Sequence, residues 1–225
     1  MTAYSAIIPA FNTEAYIADA IQSIRAQTVP PREIIVVDDG STDGTAEIVS
    51  GLGADIRLIR QENRGSGPAT TVAIQAVTTE LVAGLDSDDI WLPHKMERQL
   101  RALQQMPDIA ACFGRMRQFH HGSDQDGEGP ITDAWVRSAL VIRTEVALGA
   151  GPIVDPPGRI GQLVDWLACI RERGHRMHMI PEILALRRAR PGSLSYARST
   201  ERDGAYLHAA RQAILRRRER RAASE

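Results

Sequence analysis

The sequence predicts an α/β protein whose mainly parallel sheet carries helices on both faces. Two patterns in the first half of the chain support this prediction. Short apolar runs with the length of buried strands recur, and apolar residues at helical spacing lie between them. Alternation of this kind requires crossover connections, which join parallel strands in one sheet. The four apolar runs are Ser5–Ile8, Ile34–Val37, Ile56–Ile59 and Leu81–Leu85.

The segments between these strands have the spacing of amphipathic helices. In the first and the third segment, apolar residues recur at intervals of three and four. In the second, Asp43 is placed to cap a shorter helix over Thr45–Val49. The apolar stripes are Ile17, Ala20, Ile21 and Ile24 in the first segment and Ala69, Val72, Ala73 and Ala76 in the third.

The pattern changes after Asp89, where Pro93 suits the first turn of a helix. From about Ser195 the chain becomes an Arg-rich tail of helical character. We expect a single domain over 1–195, divided into halves at 1–90 and 91–195, and a tail over 196–225. The expected elements of the second half are a helix with the stripe Met96, Leu100 and Leu103, strands at Ile109–Phe113 and Leu140–Ile142, and a helix through Leu163, Leu167 and Ile170.

The composition argues against several classes of protein. The 225 residues carry a net charge of -1 and 4% aromatic side chains, so neither nucleic acid binding nor membrane insertion is expected. The N-terminus leads directly into an apolar strand, which predicts no signal peptide, and no apolar run reaches the length of a membrane span. Cys112 and Cys169 lack metal-ligand spacing and are expected to be reduced core thiols, which is compatible with a cytoplasmic protein.

The tail is strongly basic, with five arginines among residues 216–221. A solvated helix end is the first interpretation of this run. The alternative is an electrostatic contact with an anionic membrane surface or an acidic acceptor. Because the tail lacks an aromatic face, we expect any membrane contact to be peripheral at most.

Polar segments follow three of the predicted strands where each strand ends: Pro9–Asn12, Asp38–Ser41 and Asp86–Asp89. Ligands of parallel sheets bind beyond these carboxyl ends. The third segment has three carboxylates within four residues, which is costly unless water or a cation neutralises them. Such oxygen ligands suit Mg²⁺ or Mn²⁺ when a diphosphate supplies the other ligands. The alternative is that one aspartate caps the next helix and the others are solvated.

Four motifs occur in order along the first half: Ile7–Asn12, Val36–Thr45, Asn63–Gly65 and Leu85–Asp89. Together they resemble the nucleotide-sugar-binding half of glycosyltransferase family two. The resemblance is strong over about the first 115 residues and weaker to about Ser195. It implies a GT-A fold, with a Rossmann-like sheet and a smaller acceptor-side region, and transfer of a sugar from a nucleoside diphosphate donor. In the weaker part it depends on Ser138–Arg143 and Arg188–Ser193.

The resemblance also implies which residues bind the donor. Pro9, Phe11 and Asp39 would hold the base, with Asp39 accepting from a base N–H, and Asn12 belongs to the same site. Arg64 matches a basic loop residue that reaches the base or the phosphates. Asp38, by contrast, suits a turn in which its side chain bonds to the backbone.

Asp86 and Asp88 match the metal-binding motif of two aspartates separated by one residue. The resemblance implies that Asp88 binds Mn²⁺ or Mg²⁺ directly and that Asp86 contacts the ribose or the metal. Asp89 is expected to cap the following turn. The cation would act as a Lewis acid on the leaving diphosphate. A uridine diphosphate sugar is the first expectation for the donor, and the acceptor is not specified.

An inverting transferase also needs a carboxylate that deprotonates the acceptor. Members of the family often carry Glu-Asp at the start of a helix in the second half, but the matching segment Gly161–Leu167 lacks that pair. Its one carboxylate, Asp165, is the candidate base, with an exposed polar residue as the alternative interpretation. Asp155 is a second candidate, in a loop that could close over the site.

Two arginines near the end of the resemblance belong to the expected donor site. Arg190 stands where the family usually has a histidine that touches the metal or the diphosphate. An arginine there could pair with phosphate in bidentate geometry and lower the dependence on metal. Arg188 matches a basic residue of the family, and its alternative is a surface ion pair.

The sequence therefore favours an inverting, metal-assisted glycosyltransferase acting on a hydroxyl or thiol of a glycan, natural product or peptide. The missing Glu-Asp pair supports an alternative, a non-catalytic scaffold that binds sugar nucleotides. A nucleotidyltransferase ranks lower, because Pro9–Asn12 is not the glycine-rich basic loop that such an enzyme needs after its first strand.

Overall fold

The computed structural model describes residues 2–120, 128–156 and 161–189, together with 211–212, 214–216 and 218. The strands are β1 (Tyr4–Ala10), β2 (Glu33–Asp38), β3 (Ile56–Arg60), β4 (Leu81–Gly84), β5 (Ile90–Trp91), β6 (Ile109–His120), β7 (Ile131–Asp133), β8 (Val141–Arg143) and β9 (Arg176–Ala189). The helices are α1 (Ile17–Arg25), α2 (Thr45–Gly51), α3 (Ser66–Ala76), α4 (Lys95–Gln105), α5 (Thr144–Gly149) and α6 (Gln162–Glu172), and a 3-10 turn spans Arg137–Ala139. The predicted α/β class is confirmed.

The first four strands form a parallel wing of the sheet, in the order β3-β2-β1-β4. In register, Ile8 of β1 lies beside Val36 of β2, and Val36 lies beside Leu58 of β3. All residues of β1 and β4 are buried, as the continuous apolar runs predict for strands covered on both faces. Because these strands run in one direction, the loops that follow β1, β2 and β4 meet at one edge of the sheet.

The second wing continues the sheet in the order β4-β8-β6-β9-β5 and is mixed. β8 is antiparallel to both β4 and β6, β5 is antiparallel to β9, and β6 and β9 run parallel. The mainly parallel sheet predicted from the sequence therefore describes the first wing. The second wing brings chain segments from residues 137–143 and 176–189 to the edge where β4 ends.

β9 is the longest strand described, and the sequence pattern did not predict it. Its residues do not alternate cleanly between buried and exposed, and Pro181 lies near its middle. The register shows why the proline is tolerated. Phe113 of β6 pairs with Met179 and Arg115 pairs with Ile183, so Pro181 lies in a bulge of β9.

The helices expected from apolar spacing are all present. In α1 and α4 the predicted stripes are buried, and in α6 Leu163, Leu167 and Ile170 are buried as well. The N-cap of α2 is Gly44, one residue after the expected Asp43. Asp43 Oδ1 nevertheless accepts a hydrogen bond of 3.0 Å from the Thr45 backbone N–H, the first of the helix. The short helix α5 is an addition that no periodic signal indicated.

Cys112 is buried, Cys169 is half-buried, and both are free thiols. This agrees with the expectation of reduced cysteines, while the cytoplasmic location stays a prediction. Within the part of the chain that the structure describes, no helix combines the length and the apolar character needed to cross a membrane.

Lys95, the one lysine of the sequence, is completely buried at the start of α4. Its Nζ donates a hydrogen bond of 2.7 Å to Gln99 Oε1 and lies 4.2 Å from the centre of the Trp91 ring. Gln99 Nε2 in turn donates to the carbonyls of Cys112 and Ala139, so Gln99 ties α4 to the sheet. Burial lowers the pKa of Lys95 from 10.5 to about 7.

We predict that Lys95 titrates near neutral pH in the folded protein. Because the sequence has one lysine, ¹³Cε-lysine labelling gives a single NMR signal, whose midpoint is expected near pH 7. Between pH 7 and the unfolded value the unfolded chain binds more protons, so the free energy of unfolding should rise with pH. Relative to Lys95→Met, the free energy of unfolding of the wild type should rise by roughly 2 kcal/mol from pH 7 to pH 9, at about 1.4 kcal/mol per pH unit.

The neighbouring thiol does not interfere with this measurement in the native state. Burial raises the pKa of Cys112 to about 12, so it stays protonated over the same range. The prediction is contradicted if the midpoint of the lysine titration lies above pH 9.5 and the free energy of unfolding depends on pH equally in the wild type and in Lys95→Met.

Candidate functional site

The loops that follow β1 and β2 are joined by reciprocal hydrogen bonds. The Asn12 backbone N–H donates to Ser41 Oγ at 3.0 Å, and the Thr42 backbone N–H donates to Asn12 Oδ1 at 2.9 Å. Asn12 has a φ of 50°, in the left-handed region that asparagine tolerates better than most residues. These contacts fix the two strand ends against each other and leave Phe11 44% exposed at the edge, while Pro9 is buried.

Asp39 organises the loop after β3. It is 3% exposed, and its Oδ1 accepts from Gln61 Nε2 at 2.7 Å and from the Arg64 backbone N–H at 2.9 Å. Its Oδ2 accepts from the Gly65 backbone N–H at 2.8 Å. The carboxylate thus holds the start of α3 and presents the exposed Arg64 at the same edge.

Asp38 has the structural role expected from its sequence context. Its Oδ1 accepts from the Ser41 backbone N–H at 3.2 Å, which closes the turn after β2. Its Oδ2 lies 3.2 Å from Arg60 Nε in an ion pair. Asp38 is fully buried, so it shapes the loop that carries Asp39.

The turn after β4 carries the carboxylate cluster, and Ser138 binds it at two points. Ser138 Oγ donates to Asp89 Oδ2 at 2.6 Å and accepts from the Asp86 backbone N–H at 3.1 Å. Asp89 is 4% exposed, and its Oδ1 accepts from the Arg188 backbone N–H at 3.1 Å. Burial, followed by the nearby charges of Asp86 and Asp88, raises the pKa of Asp89 well above its usual range. Asp89 therefore anchors the turn, whereas Asp86 and Asp88 are partly exposed.

Arg188 lies beneath this turn and is not a surface residue. Its side chain is 5% exposed, and its Nε donates to the Asp88 carbonyl at 2.9 Å. Nη2 lies 3.2 Å from Asp19 Oδ2, and the guanidinium stacks over the Tyr16 and Phe119 rings at 5.0 and 4.8 Å. Arg188 thus forms the ion pair of the alternative interpretation, but from a buried side chain and not at the surface. Arg190, the other predicted arginine, lies outside the described residues.

A second buried arginine, Arg137, was not identified from the sequence. Its side chain is 5% exposed, its Nη1 forms an ion pair with Asp86 Oδ1, and its Nη2 donates to Ser66 Oγ at 2.9 Å. Gly84 leaves the space for this side chain, because a Cβ there would lie 2.5 Å from Arg137 Cγ. The one local signal was a charged residue directly before the apolar segment Ser138–Ile142, which by itself indicates nothing about Asp86.

The donor set at this edge consists of carboxylate oxygens, which suit Mg²⁺ or Mn²⁺. Asp86 commits one oxygen to Arg137, and Asp88 is half-buried beside it. Among the described residues, no three or more His, Cys, Asp or Glu side chains are grouped so that they could hold a metal ion. The residues fit a cation that takes few ligands from the chain and completes its shell with donor phosphates and water.

The two candidate bases lie in different surroundings. Asp155 Oδ1 accepts a hydrogen bond of 2.8 Å from the Gly67 backbone N–H at the start of α3, one residue from the Ser66 that binds Arg137. Gly65, with a φ of +104°, has no Cβ that would clash with the Asp155 carboxylate. Asp165 Oδ1 instead lies 2.8 Å from Arg216 Nη1, in an ion pair with the C-terminal segment.

Leu163 lies in the segment Gly161–Leu167, which lacks the expected Glu-Asp pair, and it faces the interior. It is 8% exposed and lines a small apolar cavity together with Gly84, Arg137, Ile153 and Trp166. The structure thus brings Asp39, Arg64, Asp86, Asp88, Arg188 and Asp155 to one edge, whereas Asp165 pairs with Arg216.

Comparisons with known proteins agree with this architecture. The model of the family described as glycosyl transferase family 2 matches residues 5–135. An uncharacterized glycosyltransferase of Nostoc sp. (strain PCC 7120) is 41% identical over 133 residues, covering 57% of this chain and 39% of the relative. The putative glycosyltransferase EpsH of Bacillus subtilis is 35% identical over 113 residues, covering 49% of this chain and 33% of EpsH. The chain thus spans less than half the length of these relatives.

Solved structures of low sequence identity share the fold. TarS residues 1–349 of S. aureus, in complex with UDP-GlcNAc, gives a TM-score of 0.73 at 20% identity, covering 87% of this chain and 61% of that one. A mannosyltransferase of Pyrobaculum calidifontis, in complex with GDP-Man and Mn²⁺, gives 0.74 at 18% identity, covering 95% and 64%. The likeness confirms the GT-A fold expected from the sequence.

We predict that Ser138→Ala destabilises the protein by about 1–3 kcal/mol, because the buried Asp89 Oδ2 and the Asp86 backbone N–H both lose their partner. Urea unfolding of the variant and the wild type measures the difference. Ser50→Ala is the matched control, since Ser50 Oγ donates only to the Ala46 carbonyl within α2. Equal losses in the two variants would show that Ser138 has no special role in the turn.

Proposed function

The chain belongs to glycosyl transferase family 2, and we propose that it moves a sugar from a nucleoside diphosphate donor to a hydroxyl or thiol acceptor, with inversion. One observation carries this proposal. Three polar strand ends meet at a single edge of the sheet, and two buried arginines from the second wing hold the turn after β4, Arg137 through the Asp86 carboxylate and Arg188 through the Asp88 carbonyl. An edge of this kind offers oxygen acceptors to a donor's sugar hydroxyls and cationic groups close to its phosphates.

The donor contacts follow from the loops at this edge. The exposed ring of Phe11 offers an apolar surface beside Asp39, where the base would bind. Asp39 holds the Arg64 segment in place through two backbone hydrogen bonds, and Arg64, which is exposed at this edge, is the residue we propose for contact with the base or the phosphates. Asp86, fixed through one oxygen by Arg137, can accept a donor hydroxyl on the other oxygen. We keep Pro9, Asn12 and Arg190 as further donor-site residues on the basis of the family resemblance.

A divalent cation, Mn²⁺ or Mg²⁺, completes the proposed donor site, with Asp88 as its ligand from the chain. When bound, such an ion supplies Lewis-acid stabilisation of the leaving diphosphate. Support comes from the oxygen donors at the turn and from the mannosyltransferase of like fold that binds GDP-Man and Mn²⁺. Because TarS binds UDP-GlcNAc, a uridine diphosphate sugar is the donor to test first, and GDP-mannose is the second.

The contacts favour Asp155 over Asp165 as the group that deprotonates the acceptor. Asp155 is linked to Asp86 through Gly67, Ser66 and Arg137, so it lies on the donor side of α3. Asp165 would first have to separate from Arg216. The role of Asp165 as the base stays a prediction from the sequence motif. The experiments below distinguish between the two carboxylates.

The missing Glu-Asp pair favours a second candidate function, a scaffold that binds sugar nucleotides without transferring the sugar. The segment Gly161–Leu167 has Asp165 as its one carboxylate, and Asp165 is paired with Arg216. This alternative predicts donor binding with no turnover, and the same experiments decide it.

We predict that Mn²⁺ and UDP bind in a coupled manner and that Asp88→Ala lowers the affinity for Mn²⁺·UDP at least about tenfold, or roughly 1.4 kcal/mol. Isothermal titration of UDP with Mn²⁺ and with EDTA measures the coupling. Asp133→Ala is the control. It removes a carboxylate of the edge strand β7 that pairs with Arg115 of β6. Equal UDP affinity with Mn²⁺ and with EDTA would exclude a cation at this site.

We predict that Asp155→Asn lowers kcat by about 10²–10⁴-fold, the usual contribution of a general base, with donor affinity retained. The isosteric amide still accepts the hydrogen bond from the Gly67 backbone N–H.

Asp165→Asn should retain turnover within a few fold of wild type. Its matched control is Glu172→Gln, which removes the other ion-pair partner of Arg216. Loss of turnover in Asp165→Asn alone would assign the base to Asp165. Donor binding without turnover in the wild type would support the scaffold.

A further inference from the structure

We propose that Arg137 is a built-in countercharge of the donor site, which pairs with Asp86 and so lowers the intrinsic affinity of the turn after β4 for a divalent cation. This inference extends the proposed function and depends on it for the role of the donor. Its central claim, that Arg137 controls the intrinsic cation affinity of the turn, can be tested without any donor.

The geometry commits Arg137 to this place. The guanidinium forms an ion pair with Asp86 through Nη1 and donates to Ser66 Oγ through Nη2 at 2.9 Å, so two of its donors point at the donor edge. Its stem passes over Gly84 and along the apolar cavity that Leu163 and Ile153 also line. With 5% of its side chain exposed, Arg137 has little freedom to turn away from Asp86.

Electrostatics make this pairing persistent. Guanidinium groups stay protonated across the pH range in which proteins are folded, and a buried one is costly unless a carboxylate neutralises it. Arg137 Nε has no hydrogen-bond partner among the described residues, so the pair with Asp86 is its main compensation. Asp86 keeps 35% of its side chain exposed and can present its second oxygen to a ligand.

The consequence concerns the cation. Without Arg137, Asp86 and Asp88 would place two negative charges within three residues at a partly exposed turn, which is an attractive site for Mn²⁺. With Arg137 in place, one of these charges is cancelled and one carboxylate oxygen is taken. The turn alone should therefore bind a cation weakly, and the negative charge of a diphosphate should be needed for tight binding.

The test measures Mn²⁺ binding without nucleotide, from the EPR signal of free Mn²⁺, in wild type, Arg137→Met and Arg137→Lys. We expect Arg137→Met to bind Mn²⁺ about tenfold or more tightly than wild type, a change of roughly 1.4 kcal/mol. Arg137→Lys keeps the charge and should stay close to wild type. Arg60→Met is the matched control, because it breaks another arginine–aspartate pair at this edge, with Asp38, and should not change Mn²⁺ affinity.

A second variant keeps the inference testable if Arg137→Met does not fold. Arg137→Gln removes the charge but keeps polar groups near Asp86 and Ser66, and without nucleotide it too should bind Mn²⁺ more tightly than wild type, by about tenfold. Circular dichroism and thermal unfolding confirm that each variant is folded.

Two results would overturn the inference. One is a folded Arg137→Met variant that binds Mn²⁺ no more tightly than wild type. The other is an Arg137→Lys variant that gains as much Mn²⁺ affinity as the variants without the charge. If the wild type binds no UDP under any condition, the proposed donor fails separately, and the measurement without nucleotide still decides the role of Arg137.

Discussion

The negative charge at the end of β4 has to be balanced within the protein, because the turn that carries it is largely shielded from water. Asp89 is almost fully buried, and Asp86 and Asp88 are only partly exposed. Carboxylates in such a place are costly unless hydrogen bonds or cations compensate them. Ser138 and the Arg188 backbone satisfy Asp89, and the Arg137 guanidinium neutralises Asp86. These contacts hold the turn in place within the protein, so a ligand meets a site that is already organised.

This compensation links the two wings of the sheet. Because β8 runs antiparallel to β4, the 3-10 turn just before it lies under the carboxylates and delivers Arg137 and Ser138. The long parallel pairing of β9 with β6 carries Arg188 to the same place, beside Phe119 of β6. A bulge in β9 absorbs Pro181, which lets a strand with an interrupted pattern run that far. The mixed wing thus supplies the cationic and hydroxyl groups, while the parallel wing supplies the carboxylates.

The sequence was sufficient for what depends on neighbouring residues. Apolar runs and helical spacing predicted β1 to β4 and the main helices. The strand ends predicted that Asp39 and Asp86 lie at the same edge of the sheet, because the carboxyl ends of parallel strands share an edge. The compensating partners are distant along the chain: Arg137 is 51 residues from Asp86, and the Arg188 backbone N–H is 99 residues from Asp89. No local sequence pattern indicates such a pairing. The sequence around an arginine beside an apolar segment is the same whether the arginine is solvated or buried against a carboxylate. The second wing was harder for the same reason, because β9 has no clean alternation.

The candidate base Asp165 shows how a carboxylate can lie in the matching segment of the sequence and still point in a different direction in the structure. Successive residues of a helix are rotated by about 100°, so Leu163 and Asp165, two residues apart on α6, point about 200° apart. Leu163 faces the cavity next to Arg137 and Gly84, and Asp165 accordingly faces away from it, toward Arg216. Asp165 would therefore reach the cavity side of α6 only by a rotation of the helix, which the buried Trp166 and Ile170 oppose. A carboxylate from the loop before α6 avoids this restriction, and Asp155 already lies at the start of α3 on the donor side. These positions support the proposal that Asp155, rather than Asp165, deprotonates the acceptor.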